Sequence, residues 1–98
     1  MIKKTQKKGD KNVKVTFVLP AEEVAGKISV VGDFNGWDPS KTKLVKRANG
    51  TYSASVNLEK GGNYAFRYFG EEGSWKTDES ADELVMSPFG TENSVVLT

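Results

Sequence analysis

The sequence predicts an all-β protein: an antiparallel sandwich of about seven to eight short strands. Short runs of alternating apolar and polar residues recur along the chain, and turn-forming residues separate them. No stretch of a dozen residues carries apolar residues at helical spacing. The 98 residues suffice for one domain. We expect this domain to span residues 12–98, after a flexible lysine-rich arm at residues 1–11.

The first half of the domain contains three predicted strands. The first ends at Pro20, whose ring nitrogen cannot donate a ladder hydrogen bond. Its alternating apolar members are Val13, Val15, Phe17 and Leu19. A second strand over residues 27–32 leads into an irregular loop over residues 33–39, which contains the turn-forming pairs Asn-Gly and Asp-Pro. A short third strand over residues 44–45 precedes Asn49-Gly50, for which we expect a type I′ hairpin turn.

The second half of the domain begins with a return strand whose alternating residues are Tyr52, Ala54, Val56 and Leu58. After Gly61-Gly62, the next strand has an aromatic face formed by Tyr64, Phe66 and Tyr68. We expect this face in the core and Arg67 on the opposite face. A turn over residues 70–73 leads to a strand that starts at Trp75, and the last strand spans residues 94–98. Residues 78–92 are acidic and only weakly periodic. This pattern is typical of a sandwich of immunoglobulin type.

The composition argues against catalysis and metal binding. The chain has no His and no Cys, which removes the commonest general base, the commonest zinc ligands and any disulfide. Residues 33–35 open like a calcium loop, but Trp37 occupies the place of a third oxygen ligand. We expect Asp33 and Asp38 to hydrogen-bond to their own turn backbone instead. The sequence therefore predicts a protein that is not an enzyme and holds no cofactor or metal.

Basic residues are concentrated in the N-terminal arm, whereas the body of the chain, from residue 15 onward, is mildly acidic. Six of the fourteen basic residues lie in the first fourteen positions, whereas eight basic residues face twelve acidic ones from residue 15 onward. A mildly acidic body is a poor partner for a phosphate backbone, so we expect a solubilising arm and no nucleic-acid partner. No apolar run approaches the roughly 20 residues of a membrane span, and no apolar segment of a secretory signal follows Met1. These two observations, together with the lack of cysteine, predict a cytoplasmic protein with no membrane partner.

Two tryptophans stand in polar, turn-rich surroundings, and we expect both to be exposed. Trp37 lies in the irregular loop, and Trp75 follows the turn over residues 70–73. The axial C–H faces of a glucose ring are apolar and lie flat on an aromatic plane, so an exposed indole pair suits a neutral sugar. Covering half of each indole would contribute roughly 2 kcal/mol, which predicts affinities of roughly millimolar to micromolar. Such weak binding favours a polymer that offers many sites.

Four segments occur in order along the chain: residues 30–37, 66–68, 75–78 and 89–96. Together they resemble the glycogen-binding modules of carbohydrate-binding family 48. These are the early-set domains at the N terminus of isoamylases and glycogen branching enzymes, and in the β subunit of AMP-activated protein kinase. The resemblance covers about residues 12–98. It implies an immunoglobulin-like early-set sandwich that binds an α-1,4-linked glucan such as glycogen, starch or a maltooligosaccharide.

The resemblance also implies a set of binding residues. In the glycogen-binding members, two tryptophans stack on successive glucose units, and these match Trp37 and Trp75. Arg67 stands where the family usually has a lysine that hydrogen-bonds to sugar hydroxyls. Phe89 matches an apolar residue that pushes against the curve of the glucan, where the kinase members carry leucine. Two further positions match polar residues that contact hydroxyls: Thr91 and Asn93.

Three functions remain open at this point. The first is a stand-alone, non-catalytic module that binds an α-glucan polysaccharide or oligosaccharide. The second is an early-set domain that docks onto a glucan-metabolising enzyme or another protein, with its aromatic residues buried in the interface. The third is nucleic-acid binding through the lysine-rich arm and aromatic stacking. Enzyme-linked members of the family often lack one or both tryptophans, so the presence of both favours glucan binding.

Overall fold

The computed structural model describes residues 2–6, 9, 11–24, 26–70, 73, 75–78, 81–87 and 90–98. Within these residues the chain forms nine β-strands, two short 3-10 turns and no α-helix. The strands are β1 (Ile2–Thr5), β2 (Asn12–Pro20), β3 (Ile28–Gly32), β4 (Val45–Lys46), β5 (Thr51–Glu59), β6 (Asn63–Gly70), β7 (Trp75–Lys76), β8 (Glu83–Met86) and β9 (Glu92–Leu97). The all-β prediction is therefore confirmed.

Two antiparallel sheets form the sandwich. One sheet has the strand order β1-β2-β5-β4, and the other has the order β3-β6-β9-β8, with β7 also pairing with β6. Because β3 pairs with one edge of β6 while β9 and β7 share the other, β6 is the central strand of the second sheet.

The core lies between the sheets and is built from the predicted alternating residues. On β2, the buried members are Val13, Val15, Phe17 and Leu19. The Phe17 ring lies 4.9 Å from Phe66 and 6.4 Å from Tyr68, centroid to centroid. Phe66 and Tyr68 are both fully buried, so the predicted inward face of β6 is confirmed. Aromatic rings in tilted or edge-to-face contact at these distances stabilise a core beyond the area they bury.

The N-terminal segment contains a strand that the sequence analysis did not predict. Ile2–Thr5 forms β1 and pairs with Lys14–Phe17 of β2. Ile2 packs against the core cluster, and Lys4 forms an ion pair with Asp82, which directly precedes β8 of the opposite sheet. The segment therefore has an apolar partner in the core and a charged partner in Asp82. Its lysine-rich composition alone indicates neither contact. Residues 1, 7, 8 and 10 of the expected arm lie outside the described residues.

Two further features differ in detail from the sequence prediction. The weakly periodic segment over residues 78–92 contains a strand, β8, which pairs with β9 along the edge of its sheet. Asn49-Gly50 does join β4 to β5, but Gly50 adopts a positive φ of 79° and Asn49 does not. The Gly50 N–H donates to Arg47 O, and the Arg47 N–H donates to Thr51 O, which makes a three-residue loop. Such a loop uses one left-handed glycine instead of the two positive φ angles of type I′.

Candidate functional site

The loop after β3 carries Trp37 and begins where two strands approach closely. A Cβ on Gly32 would lie 2.5 Å from Ala65 O and 2.8 Å from Phe66 Cβ, so only glycine fits beside β6 at this point. A single 3-10 turn over Asp33–Asn35 follows. Trp37 then adopts a φ of 60°, and it is the one described residue other than glycine with a positive φ. This conformation is uncommon for a bulky side chain and persists only where its surroundings hold it.

Asn35 and Asp38 hold the backbone of this loop. Asn35 Oδ1 accepts from the Gly32 N–H at 3.0 Å, while its Nδ2 donates to Val30 O and Thr42 Oγ1, both at 3.0 Å. Asp38 Oδ1 accepts from the Ser40 hydroxyl at 2.7 Å and the Ser40 N–H at 2.9 Å. These two hydrogen bonds lower the pKa of the Asp38 carboxyl. The predicted turn-binding role of Asp38 is confirmed.

Asp33 has a different role from the one predicted. Its Oδ1 accepts from the Trp37 indole Nε1–H at 2.9 Å, and its Oδ2 accepts from the Ala65 backbone N–H at 2.9 Å. The prediction that Asp33 binds its own turn backbone is wrong, because the 3-10 turn directs the carboxylate across to β6. The β3–β6 ladder ends at the Gly32–Phe66 pair, so on this edge of β6 the carboxylate takes the place of a β3 partner for Ala65.

Arg67 and Trp75 lie in contact on the outer face of the second sheet. Phe69 of β6 is directly opposite Trp75 of β7, and their ring centroids are 4.6 Å apart. The Arg67 guanidinium carbon lies 5.1 Å from the centroid of the Trp75 ring, a cation–π geometry. Trp75 remains 45% exposed. Arg67 Nε is buried and has no hydrogen-bond partner in the described part of the chain.

Asn93 and Thr91 belong to the β8–β9 hairpin. Val95 pairs with Ala65, so Asn93, two residues earlier on β9, lies on the same outer face of the sheet as Arg67. The Thr91 hydroxyl lies 2.8 Å from Ser87 Oγ and helps to close the hairpin turn. Phe89 lies outside the described residues.

A buried polar network fixes the segment that follows Trp75. Asp78 is only 5% exposed and accepts from the Tyr68 hydroxyl at 2.6 Å, while its own N–H donates to Ser94 Oγ at 2.7 Å. Burial and the nearby Asp78 carboxylate raise the pKa of the Tyr68 hydroxyl far above its usual range, so this hydroxyl stays a donor. These bonds join the residue two positions after β7 to Tyr68 of β6 and Ser94 of β9. The sequence interpretation did not assign this role to Asp78.

The structure brings Arg67 and Trp75 into contact and places Trp37 at the end of the neighbouring strand β3. Trp37 follows β3 and Trp75 lies on β7, and these two strands pair with opposite edges of β6, the strand that carries Arg67. The predicted exposure is confirmed for Trp75, whereas Trp37 is partly buried. The exposed Trp75 indole and the Arg67 guanidinium beside it offer an apolar surface and a hydrogen-bond donor, which suits a ligand with apolar faces and polar edges. Among the described residues, no group of three or more His, Cys, Asp or Glu side chains is placed to hold a metal ion. The described residues also include no helix with the length and hydropathy of a membrane span.

Comparison with known proteins gives two similarities. The family model of carbohydrate-binding module 48 (isoamylase N-terminal domain) matches residues 5–90. A 1,4-alpha-glucan branching enzyme, GlgB, from Aquifex aeolicus is 39% identical over 56 residues. This match covers 54% of the present chain and 9% of the branching enzyme, so the chain corresponds to a small part of that relative.

Proposed function

The chain belongs to the carbohydrate-binding module 48 family, and from this premise we propose that it binds an α-1,4-linked glucan by aromatic stacking, without catalysis. Glycogen, starch and maltooligosaccharides are the proposed ligands. The observation that carries this proposal is the exposed Trp75 ring, which is packed on Phe69 and contacted by Arg67 on an open sheet face. A tryptophan held in this way offers a fixed apolar surface to a sugar ring.

Some of the proposed binding residues stack on the sugar rings, and others hydrogen-bond to the hydroxyls. Trp37 and Trp75 stack on glucose units, and Phe89 lies against the curve of the chain. Arg67 donates to sugar hydroxyls through its guanidinium, which lies over the Trp75 ring. The remaining hydroxyl contacts are assigned to Thr91 and Asn93. The absence of cysteine supports a cytoplasmic location for this activity.

Affinity electrophoresis tests the proposal directly. Native gels that contain glycogen or amylose should retard the wild type, and titration with maltooligosaccharides of increasing length should show tighter binding to longer chains. Trp75→Ala should abolish most of the retardation. Val45→Ala is the matched control, because Val45 is 52% exposed but lies on the other sheet. Binding to a neutral glucan should also be the same at low and high salt. An unretarded wild type would refute the proposal.

A second candidate function, docking onto a glucan-metabolising enzyme, is favoured by one surface feature. The edge strand β8 exposes three consecutive apolar residues: Leu84, Val85 and Met86. Exposed edge strands with apolar side chains pair readily with other chains. Co-elution with a glucan branching enzyme in size-exclusion chromatography tests this function. If docking occurs, Val85→Lys should weaken it without changing the retardation by glycogen.

A further inference from the structure

The Asp33 carboxylate joins the two parts of the proposed glucan site. One of its oxygens accepts from the side chain of Trp37, and the other accepts from the backbone of Ala65 on β6, each at 2.9 Å. An ionised carboxylate has two acceptor oxygens and no donor, so it satisfies both N–H groups at once. An amide has only one acceptor oxygen and cannot do so in the same position.

The orientation of the Trp37 indole depends on its contact with Asp33, whereas other hydrogen bonds hold the loop backbone. The backbone already has its own hydrogen bonds: the Trp37 N–H donates to Gly32 O at 3.0 Å, and Asn35 braces the loop against Val30 and Thr42. For the indole ring itself, the hydrogen bond to Asp33 is the polar contact that selects one orientation. Through Ala65, this orientation is defined relative to β6, the strand that carries Arg67.

We propose that Asp33 is a positioning residue, which fixes the Trp37 indole relative to β6 and does not itself contact the ligand. This inference rests on the proposed glucan-binding function. It also specifies how Trp37 recognises a sugar: because its single N–H is already engaged by Asp33, the indole contributes an apolar ring surface and no hydrogen bond to a hydroxyl. A ring that is oriented before binding loses less side-chain entropy when the ligand arrives.

Asp38 provides a matched control in the same loop. Asp38 uses a single oxygen, Oδ1, to accept from both the hydroxyl and the N–H of Ser40. Asparagine at this position keeps that oxygen, so Asp38→Asn should retain both hydrogen bonds. Asp33→Asn removes the same charge but must leave either the Trp37 indole or the Ala65 N–H without an acceptor. The two variants therefore separate loss of charge from loss of the two-oxygen contact.

The experiment combines a ligand-free and a ligand-bound measurement on the full chain. The indole N–H proton resonances are recorded without glucan, with Trp37→Phe used to assign the Trp37 signal. Affinity for maltoheptaose is then measured by calorimetry. We expect Asp33→Asn and Asp33→Ala to shift the Trp37 resonance and to weaken maltoheptaose binding by roughly three- to tenfold, the equivalent of about one hydrogen bond. Asp38→Asn should leave both measurements at their wild-type values.

An unchanged Trp37 resonance in both Asp33 variants overturns the inference. A shifted resonance with wild-type affinity also overturns it, because the indole orientation would then be irrelevant to binding. Thermal melting of each variant shows that it is folded, so that weaker binding is not a consequence of unfolding. If the wild type itself fails to bind maltoheptaose, the glucan proposal falls, and the ligand-free resonance still decides whether Asp33 holds Trp37.

Discussion

At the scale of single residues, neighbouring positions on β6 have opposite roles. Phe66 and Tyr68 are fully buried between the sheets, whereas Arg67 turns outward and contacts Trp75. Strand alternation places consecutive side chains on opposite faces, so one residue stabilises the fold and the next faces the proposed ligand. Stability and binding should therefore be separable by substitution at adjacent positions.

Arg67→Ala should weaken glucan binding while leaving the fold intact. The substitution removes the guanidinium donors and the cation–π contact with Trp75, and an exposed contact of this kind is worth about 0.5–1 kcal/mol. Calorimetric titration with maltoheptaose measures the binding loss, and thermal melting measures stability. Arg67→Lys keeps the charge and serves as the control. A large drop in melting temperature for Arg67→Ala would show that the residue supports the core.

Phe66→Ala should have the opposite effect. The ring is fully buried and lies 4.9 Å from Phe17 and 5.8 Å from Tyr68, centroid to centroid. Removing a buried aromatic side chain leaves a cavity and costs about 3–5 kcal/mol of unfolding free energy. Urea denaturation measures this loss, with Val18→Ala on the half-buried outer side of β2 as the control. A Phe66→Ala variant near wild-type stability would contradict the core assignment.

At the scale of secondary structure, the strength of each local pattern explains which strands were predictable. β2, β5 and β6 each have eight or nine residues, and their alternation identified them and the outward face of Arg67. β1 and β8 have four residues each, too few for a clear period, and they are defined by their pairing partners. Asp33 and Ala65 are 32 positions apart, so no local pattern indicates their hydrogen bond.

The close approach of β3 and β6 provides a test at this scale. Gly32→Ala would place a Cβ 2.5 Å from the Ala65 carbonyl oxygen, so β3 must move away from β6. Overpacking of this kind typically costs about 1–3 kcal/mol. Because Gly32 directly precedes the loop that carries Trp37, the same change should also weaken glucan binding. Denaturant titration and maltoheptaose calorimetry measure the two effects.

Gly36→Ala is the matched control for this test. Gly36 has a φ of 68°, and nothing lies within 4 Å of the position that its Cβ would take. The cost there is only the left-handed conformation, roughly 1–2 kcal/mol. If Gly32→Ala were no more destabilising than Gly36→Ala, the crowding at the end of β3 would not be a determinant of the fold.

At the scale of the whole molecule, Asp82 connects the two sheets at one edge of the sandwich, called the rim below. It precedes β8 in one sheet and forms an ion pair with Lys4 of β1 in the other. It also accepts from the Leu97 N–H at 2.8 Å, so it ties β9 to the same point. Charged side chains at sheet edges commonly prevent pairing with other chains. Here the charge also joins β1 of one sheet to β9 of the other.

The Asp82 contacts predict a loss of stability in acid. Partial burial raises the pKa of this carboxyl, but the Leu97 N–H and Lys4 together outweigh that effect and hold the pKa below the ordinary 3.8. A carboxyl with a lowered pKa in the folded state stabilises the protein above its unfolded pKa, and this contribution is lost as the pH falls through the folded value. The melting temperature of the wild type should therefore decrease below about pH 4.

Asp82→Asn should be less stable than the wild type at neutral pH and should lose less stability on acidification, so that the two melting curves converge in acid. Lys4→Met removes the ion pair but keeps the Leu97 hydrogen bond, so it should retain part of the pH dependence. Melting temperatures of the three proteins between about pH 2.5 and pH 7 measure these effects. If Asp82→Asn kept the full pH dependence, other carboxylates would be responsible, and the rim contact between the sheets would not contribute to acid stability.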